Sequence, residues 1–301
     1  MHMMRRCVRK MRKFTDAEWM KWYRDGHIHF TECTPAVAEW GEEGEWDKVM
    51  NGTVTEAELG AVVMALKDGK TTSNAREKNE VFKAMWGSAE FRARMCEYAN
   101  ARLDGGDTDE ALGEVPQQMA GKAGDLTQTT NWRALSFQAC LAQIEAKWLM
   151  ARVTKVQEKY NLLDNNQNGC RKLRSCMHNL IIVQMAMELN ERLYMIMLDA
   201  HKAYPTAERA GCSYEMARMR VGGKVWRLMD RIQENKRCHV RCGDARSEEY
   251  PVERGLLEGH GTSGGMYLTM INAAVTAVRN DPRKLGLTIR GTWVGLVMIS
   301  D

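Results

Sequence analysis

The stretch Tyr194-Met-Ile-Met-Leu198-Asp199-Ala-His-Lys202-Ala203-Tyr204 opens on an unbroken apolar run that closes on a carboxylate. A short apolar run of this kind predicts a strand over Tyr194–Leu198 with Asp199 at its end. Working outward, Cys238-His-Val-Arg-Cys242 is followed by Gly243-Asp244, and Val294-Gly-Leu-Val-Met-Ile299 leads up to Asp301. Both read as further strands, the first turning back through its Gly-Asp pair in a hairpin. No glycine-rich phosphate loop follows a strand. The expected fold class is therefore α+β, an antiparallel sheet with packed helices rather than a doubly wound sheet.

Helical periods fill the intervals. Thr55-Glu-Ala-Glu58 has the form of a capping box, and Leu59, Val62, Val63 and Leu66 repeat on one face until Gly69. Phe137, Leu141, Ile144 and Trp148 form a second stripe, and Val225, Leu228, Met229 and Ile232 a third. Stripes at this spacing face a core.

With 44% hydrophobic and 27% charged residues over 301 positions, the chain can bury a full core and is not disordered by composition. No window approaches ~18 consecutive apolar residues, so no membrane span is expected, and no secretory signal stands at the start. A net charge of +4 is too small to mark a nucleic-acid binder by itself. Nine cysteines lack any Cys-x-x-Cys pair, which fits a reducing, intracellular compartment rather than a disulfide framework. The sequon Asn51-Gly-Thr53 reads as chance. Residues 1–50 read as a basic extension or linker, with Arg5, Arg6, Arg9, Lys10, Arg12 and Lys13 at its head. Such an arm is a phosphate contact, a mitochondrial targeting segment or a solvated end.

Asp199 and Asp301 stand about a hundred positions apart at strand ends, where a sheet delivers two carboxylates to one divalent cation. Aspartate also favours strand ends as a cap or turn former, so spacing alone leaves both readings open. Cys238, His239 and Cys242 lack the fourth ligand of a structural zinc site, and His239 is expected on a strand surface.

Leu198-Asp199-Ala-His-Lys202-Ala203-Tyr204 resembles the first catalytic motif of reverse transcriptases of the non-LTR retrotransposon type, Asp-x-x-Lys-Ala-Phe/Tyr-Asp, with Pro205 in place of the second acid. Gly255-Leu-Leu-Glu258-Gly259-His-Gly-Thr-Ser263-Gly264-Gly-Met-Tyr267, continuing to Ile271-Asn272, resembles that family's Gly-x-x-Gln-Gly-x-x-x-Ser-Pro-x-x-Phe. Glu258 replaces the glutamine and Gly264 the proline. Ile299-Ser300-Asp301 resembles the start of the Tyr/Phe-x-Asp-Asp turn. Lys122-Ala-Gly124-Asp125, Asn131-Trp132-Arg133-Ala-Leu-Ser136, Gln167-Asn-Gly169-Cys-Arg171-Lys-Leu-Arg174-Ser175 and Leu66-Lys-Asp-Gly69-Lys70 resemble its fingers segments, with Cys170 and Leu173 as departures. These pieces keep the family's order over residues 53–301.

The resemblance implies the fingers (residues 51–185) and part of the palm (residues 186–301) of a right-hand polymerase, with a thumb outside this chain. It implies RNA-directed DNA polymerisation: attack of a DNA primer 3′-hydroxyl on a dNTP α-phosphate along an RNA template, in the nucleus or cytoplasm. Asp199 and Asp301 would be the catalytic residues and would hold Mg2+. Lys122 and Arg133 would face the triphosphate, Arg171 would contact substrate, and Tyr204 would sit under the sugar as a gate against a 2′-hydroxyl. Glu258, Gly259 and Ser263 would lie under the template, with Ser263 doubling as a helix N-cap. The chain is expected to be truncated within the Tyr/Phe-x-Asp-Asp motif and inactive alone. Because Pro205, Glu258, Gly264 and Ile299 depart from the motifs, an inactive, repurposed RNA-binding protein is the second expectation. A structural interaction protein with capping aspartates is the third.

Overall fold

The computed structural model describes residues 5, 9, 11–13, 15, 18, 45–70, 78–106, 110–190, 192–234, 236–242, 245–283, 285–289 and 291–296. Helices α1 (Glu45–Asn51), α2 (Glu56–Met64), α3 (Asn79–Met85) and α4 (Ala89–Leu103) come first. A single turn, α5 (Glu110–Gly113), leads into β1 (Glu114–Gly121), which returns as β2 (Trp132–Ser136). The long α6 (Cys140–Lys159) is followed by α7 (Cys176–Leu189), α8 (Ala203–Thr206), α9 (Arg209–Arg218) and α10 (Gly223–Glu234). Then come β3 (Arg237–Cys242), β4 (Ala245–Arg246), β5 (Tyr250–Pro251), α11 (Ser263–Arg279), and a hairpin of β6 (Leu287–Ile289) and β7 (Thr292–Val294).

The class is mixed α and β, as the alternation of periods predicts. The main sheet has the order β2-β1-β3-β4, with β5 also on β3. It is mixed rather than antiparallel: β1 and β3 run parallel, Val115 opposite Cys238, while β1–β2 and β3–β4 are antiparallel. The parallel pair arises because a long helical connection, α6 to α10, separates β1–β2 from β3 and returns the chain to the same end of the sheet. The expected hairpin is present as β3–β4, with Cys242 opposite Ala245; Gly243 and Asp244 lie outside the described residues.

One hydrophobic cluster joins α1, α2, α4, α6, α9, α10 and α11. All three predicted stripes contribute to it. Leu59, Val63, Ile144, Trp148, Val225, Leu228 and Met229 are each no more than 1% exposed. Burying a side chain of this size stabilises by about 1.5–3 kcal/mol. Two details differ from the sequence reading. The first helix ends at Met64 rather than near Gly69, and Phe137 precedes α6 rather than joining its stripe. The Thr55 hydroxyl accepts from Glu58 N as a cap, but the Glu58 carboxylate turns to Arg152, taking Nε and Nη2 at 2.6 and 2.8 Å. A buried guanidinium outcompetes the reciprocal half of the box, because charge-assisted bonds are the stronger ones.

The larger correction is at Tyr194–Leu198, which is irregular and exposed rather than a strand. A strand needs a hydrogen-bonded neighbour, and no described strand pairs with this run; Val294, the start of the other apolar run, pairs with Leu287 through the turn at Gly291. Val297, Met298, Ile299 and the rest of that run lie outside the described residues.

Candidate functional site

The loop between β5 and α11 is the joint of the site. Leu256 N donates to Tyr204 O at 2.8 Å, fastening the loop to α8, and Ser136 N donates to Glu258 O at 3.0 Å, fastening it to β2. Gly255 has φ +82°, and a Cβ there would stand 2.3 Å from Pro205 O. Gly259 has φ +90°, and a Cβ there would stand 2.8 Å from Ser136 O. These two glycines are required by backbone conformation and close approach together. Glu258, half-buried, pairs with exposed Arg133 at 3.4 Å.

Tyr204 lies against Tyr267 of α11, ring centroids 5.2 Å apart. A Cβ on Gly264 would meet Cys170 Sγ at 3.1 Å and the Tyr204 hydroxyl at 3.9 Å. Segments from residues 131–136, 167–174, 203–205 and 255–267 are thus neighbours in space. Beside them a cavity of about 250 Å3 is lined by Met150, Thr154, Gln157, Arg171, Gly264 and Gly265, among others. Arg171 is 8% exposed, and its fork is committed inward, to both oxygens of Glu158 (2.8 and 2.7 Å) and to the carbonyls of Asp164 and Gln167. That pairing holds the Glu158 carboxyl below its ordinary range.

Ser263 is the first residue of α11 rather than its cap. Thr262 holds the cap position, and the buried Ser263 hydroxyl has no hydrogen-bond partner. Gln233 Nε2 donates to the Thr262 hydroxyl at 2.7 Å, which draws Thr262 into the core and away from capping geometry. Lys122 is exposed on the β1–β2 turn, where its amide donates to Asn131 O. Asp199 is exposed on the irregular segment; burial raises the Tyr267 hydroxyl, and the charges of Cys212 and Asp199 add to it. Asp301 lies outside the described residues.

Two buried groups had no sequence signal. His260 is fully enclosed, its Nδ1 2.9 Å from the Thr262 hydroxyl and its Nε2 without a partner; burial holds its pKa well below the usual value. Lys236, 4% exposed, has its ammonium lowered to about 8 by burial, against the pull of Glu145. They line a cavity of about 10 Å3, room for about one water.

On the sheet, Glu114, His239 and Glu249 bring ligand atoms within 4.8 Å of one another, an acidic and imidazole group of the kind that holds metals. His239 is buried, not on the strand surface as expected, because β3 is central in the sheet. Burial, followed by Arg246, lowers its pKa. No protein-family model matches the chain, and no curated protein matches it. No helix among the described residues is long and apolar enough to cross a membrane.

Proposed function

We propose that the chain is an RNA-directed DNA polymerase of the reverse-transcriptase type, extending a DNA primer on an RNA template with dNTPs. One observation supports this above the rest: motif-like segments distant in sequence meet around Tyr204, Leu256, Glu258 and Gly264. Tyr204, lying against Tyr267 and beside Gly264 at the start of α11, would be the floor for a sugar. Lys122 and Arg133 are exposed cations for phosphate oxygens, and Arg133 must exchange its 3.4 Å contact with Glu258 to reach one.

Asp199 stands outside any three-donor metal group among the described residues. A lone exposed carboxylate fits Mg2+ when water and triphosphate oxygens complete the shell. Bound there, the ion would supply charge stabilisation to the phosphoryl group. The test is primer extension on an RNA template with Mg2+ by this chain joined to the remaining palm and thumb that the resemblance calls for: incorporation that disappears in Asp199→Asn, with the fold unchanged by circular dichroism, supports the reading.

A second reading, nucleic-acid binding without polymerisation, is favoured by the inward commitment of Arg171 and by the carboxylate of Glu258 beside Arg133. RNA retention with no incorporation at any Mg2+ concentration selects it.

A further inference from the structure

Glu114 opens β1, His239 lies two positions into the neighbouring β3, and Glu249 sits just before β5 on the far side of β3. Three backbone segments thus converge on one spot, which is independent of the reading above. His239 is 0% exposed, and its Nδ1 lies 3.3 Å from Glu114 Oε1 yet has no hydrogen-bond partner. A buried imidazole nitrogen beside a carboxylate, with a second carboxylate within 4.8 Å of the group and no hydrogen bond of its own, is a ligand position, because buried polar atoms are otherwise satisfied.

Arg246 now holds the cation's place: its Nη2 lies 2.9 Å from Glu114 Oε1 and 2.6 Å from Glu249 Oε1. Its side chain is 47% exposed, so its guanidinium can turn out to water. Ligands on one tetrahedral zinc-class ion stand roughly 3.4 Å apart. The Glu114–His239 spacing already meets that distance, and the remaining gaps close by movement of Glu249, whose second oxygen also meets exposed Arg237 at 3.2 Å.

We propose that Glu114, His239 and Glu249 form a site for a divalent transition cation of the zinc class, with Arg246 as its resident competitor. An imidazole with two carboxylates selects such an ion over Ca2+ or Mg2+, which take all-oxygen shells. Arg241 Nε donates to His239 Nε2 at 3.2 Å. Metal on Nδ1 places the ring proton on Nε2, so Arg241, exposed on the rim, turns away as the ion enters. The bound ion joins β1, β3 and the β4–β5 loop at one point and replaces an ion pair that salt weakens.

The test is Co2+ titration followed by visible absorption and equilibrium dialysis on the whole chain. One Co2+ per chain is expected, with weak d–d bands and no thiolate charge-transfer band. Glu249→Gln, at the exposed rim, weakens it by about tenfold or more, and Arg246→Ala, which removes the competitor, tightens it by about tenfold. The proposal is overturned if wild type and Arg246→Ala both bind no Co2+ while folded, if Glu249→Gln leaves binding unchanged, or if a thiolate band shows cysteines to be the ligands.

Discussion

Gly255 and Gly69 separate two reasons for a glycine. Both have positive φ, but a Cβ on Gly69 meets nothing within 4 Å whereas one on Gly255 meets Pro205 O. Gly69→Ala therefore costs about 1 kcal/mol in chemical denaturation, the conformational penalty alone. Gly255→Ala adds a backbone clash and costs about 3 kcal/mol or more. Equal losses at the two positions contradict the geometry. Lys236 gives a pH signature. Its folded pKa of about 8 lies below the ordinary 10.5, so between these values the unfolded chain holds a proton that the folded chain has released. Stability from this group therefore rises with pH across that window and is lowest, and flat, below about 8. Lys236→Met raises the melting temperature at pH 7, and its advantage over wild type shrinks to nothing by about pH 10.5. His260, depressed from 6.5, acts in the same sense lower down: the unfolded ring takes a proton that the buried ring refuses, so stability falls as pH drops below about 6.5.

Among elements, the helical stripes were legible because burial imposes a period of 3.6 on local sequence, and the β3–β4 hairpin was legible from its Gly243-Asp244 turn chemistry. The Gly255–Tyr267 loop was legible as a motif, and its glycines have a physical cause. The fate of Tyr194–Leu198 was not legible, since an apolar run cannot declare whether a partner strand will reach it. The parallel β1–β3 pairing and the burial of His239 were equally hidden, being set by which strand lies centrally. Ile196, Met197 and Leu198 are 85%, 97% and 85% exposed, and α7 adds Met177, Leu180, Ile181, Met187 and Leu189. Such an apolar surface drives association. Ile196→Lys with Met197→Lys is expected to reduce self-association in analytical ultracentrifugation without changing the melting temperature. A fall in melting temperature would instead mean that these side chains are packed.

At the scale of the molecule, buried ion pairs tie the helices together around the core. Arg102 and Glu145, 2% and 5% exposed, meet at 2.7 and 3.3 Å between α4 and α6. Arg102→Met strands the carboxylate and costs about 3–5 kcal/mol, whereas the double change with Glu145→Leu recovers most of it. Two described cations of the basic N-terminal arm meet the protein's own acids, Arg5 with Glu208 and Arg12 with Asp230 and Glu234. Those contacts draw charge of the arm inward, while Lys202 and Arg254 beside the loop joint, and Lys122 and Arg133 on the β1–β2 hairpin, are exposed. The polymerase function proposed for this joint requires Asp199 as its reacting-centre carboxylate. The most direct measurement is incorporation of labelled dNTP into a DNA primer on an RNA template, wild type against Asp199→Asn, with Mg2+ varied. Magnesium-dependent incorporation that Asp199→Asn abolishes is the predicted result. Both proteins are measured joined to the remaining palm and thumb that the resemblance calls for; equal incorporation by both, or none by the folded wild type so completed that still retains the RNA, contradicts it.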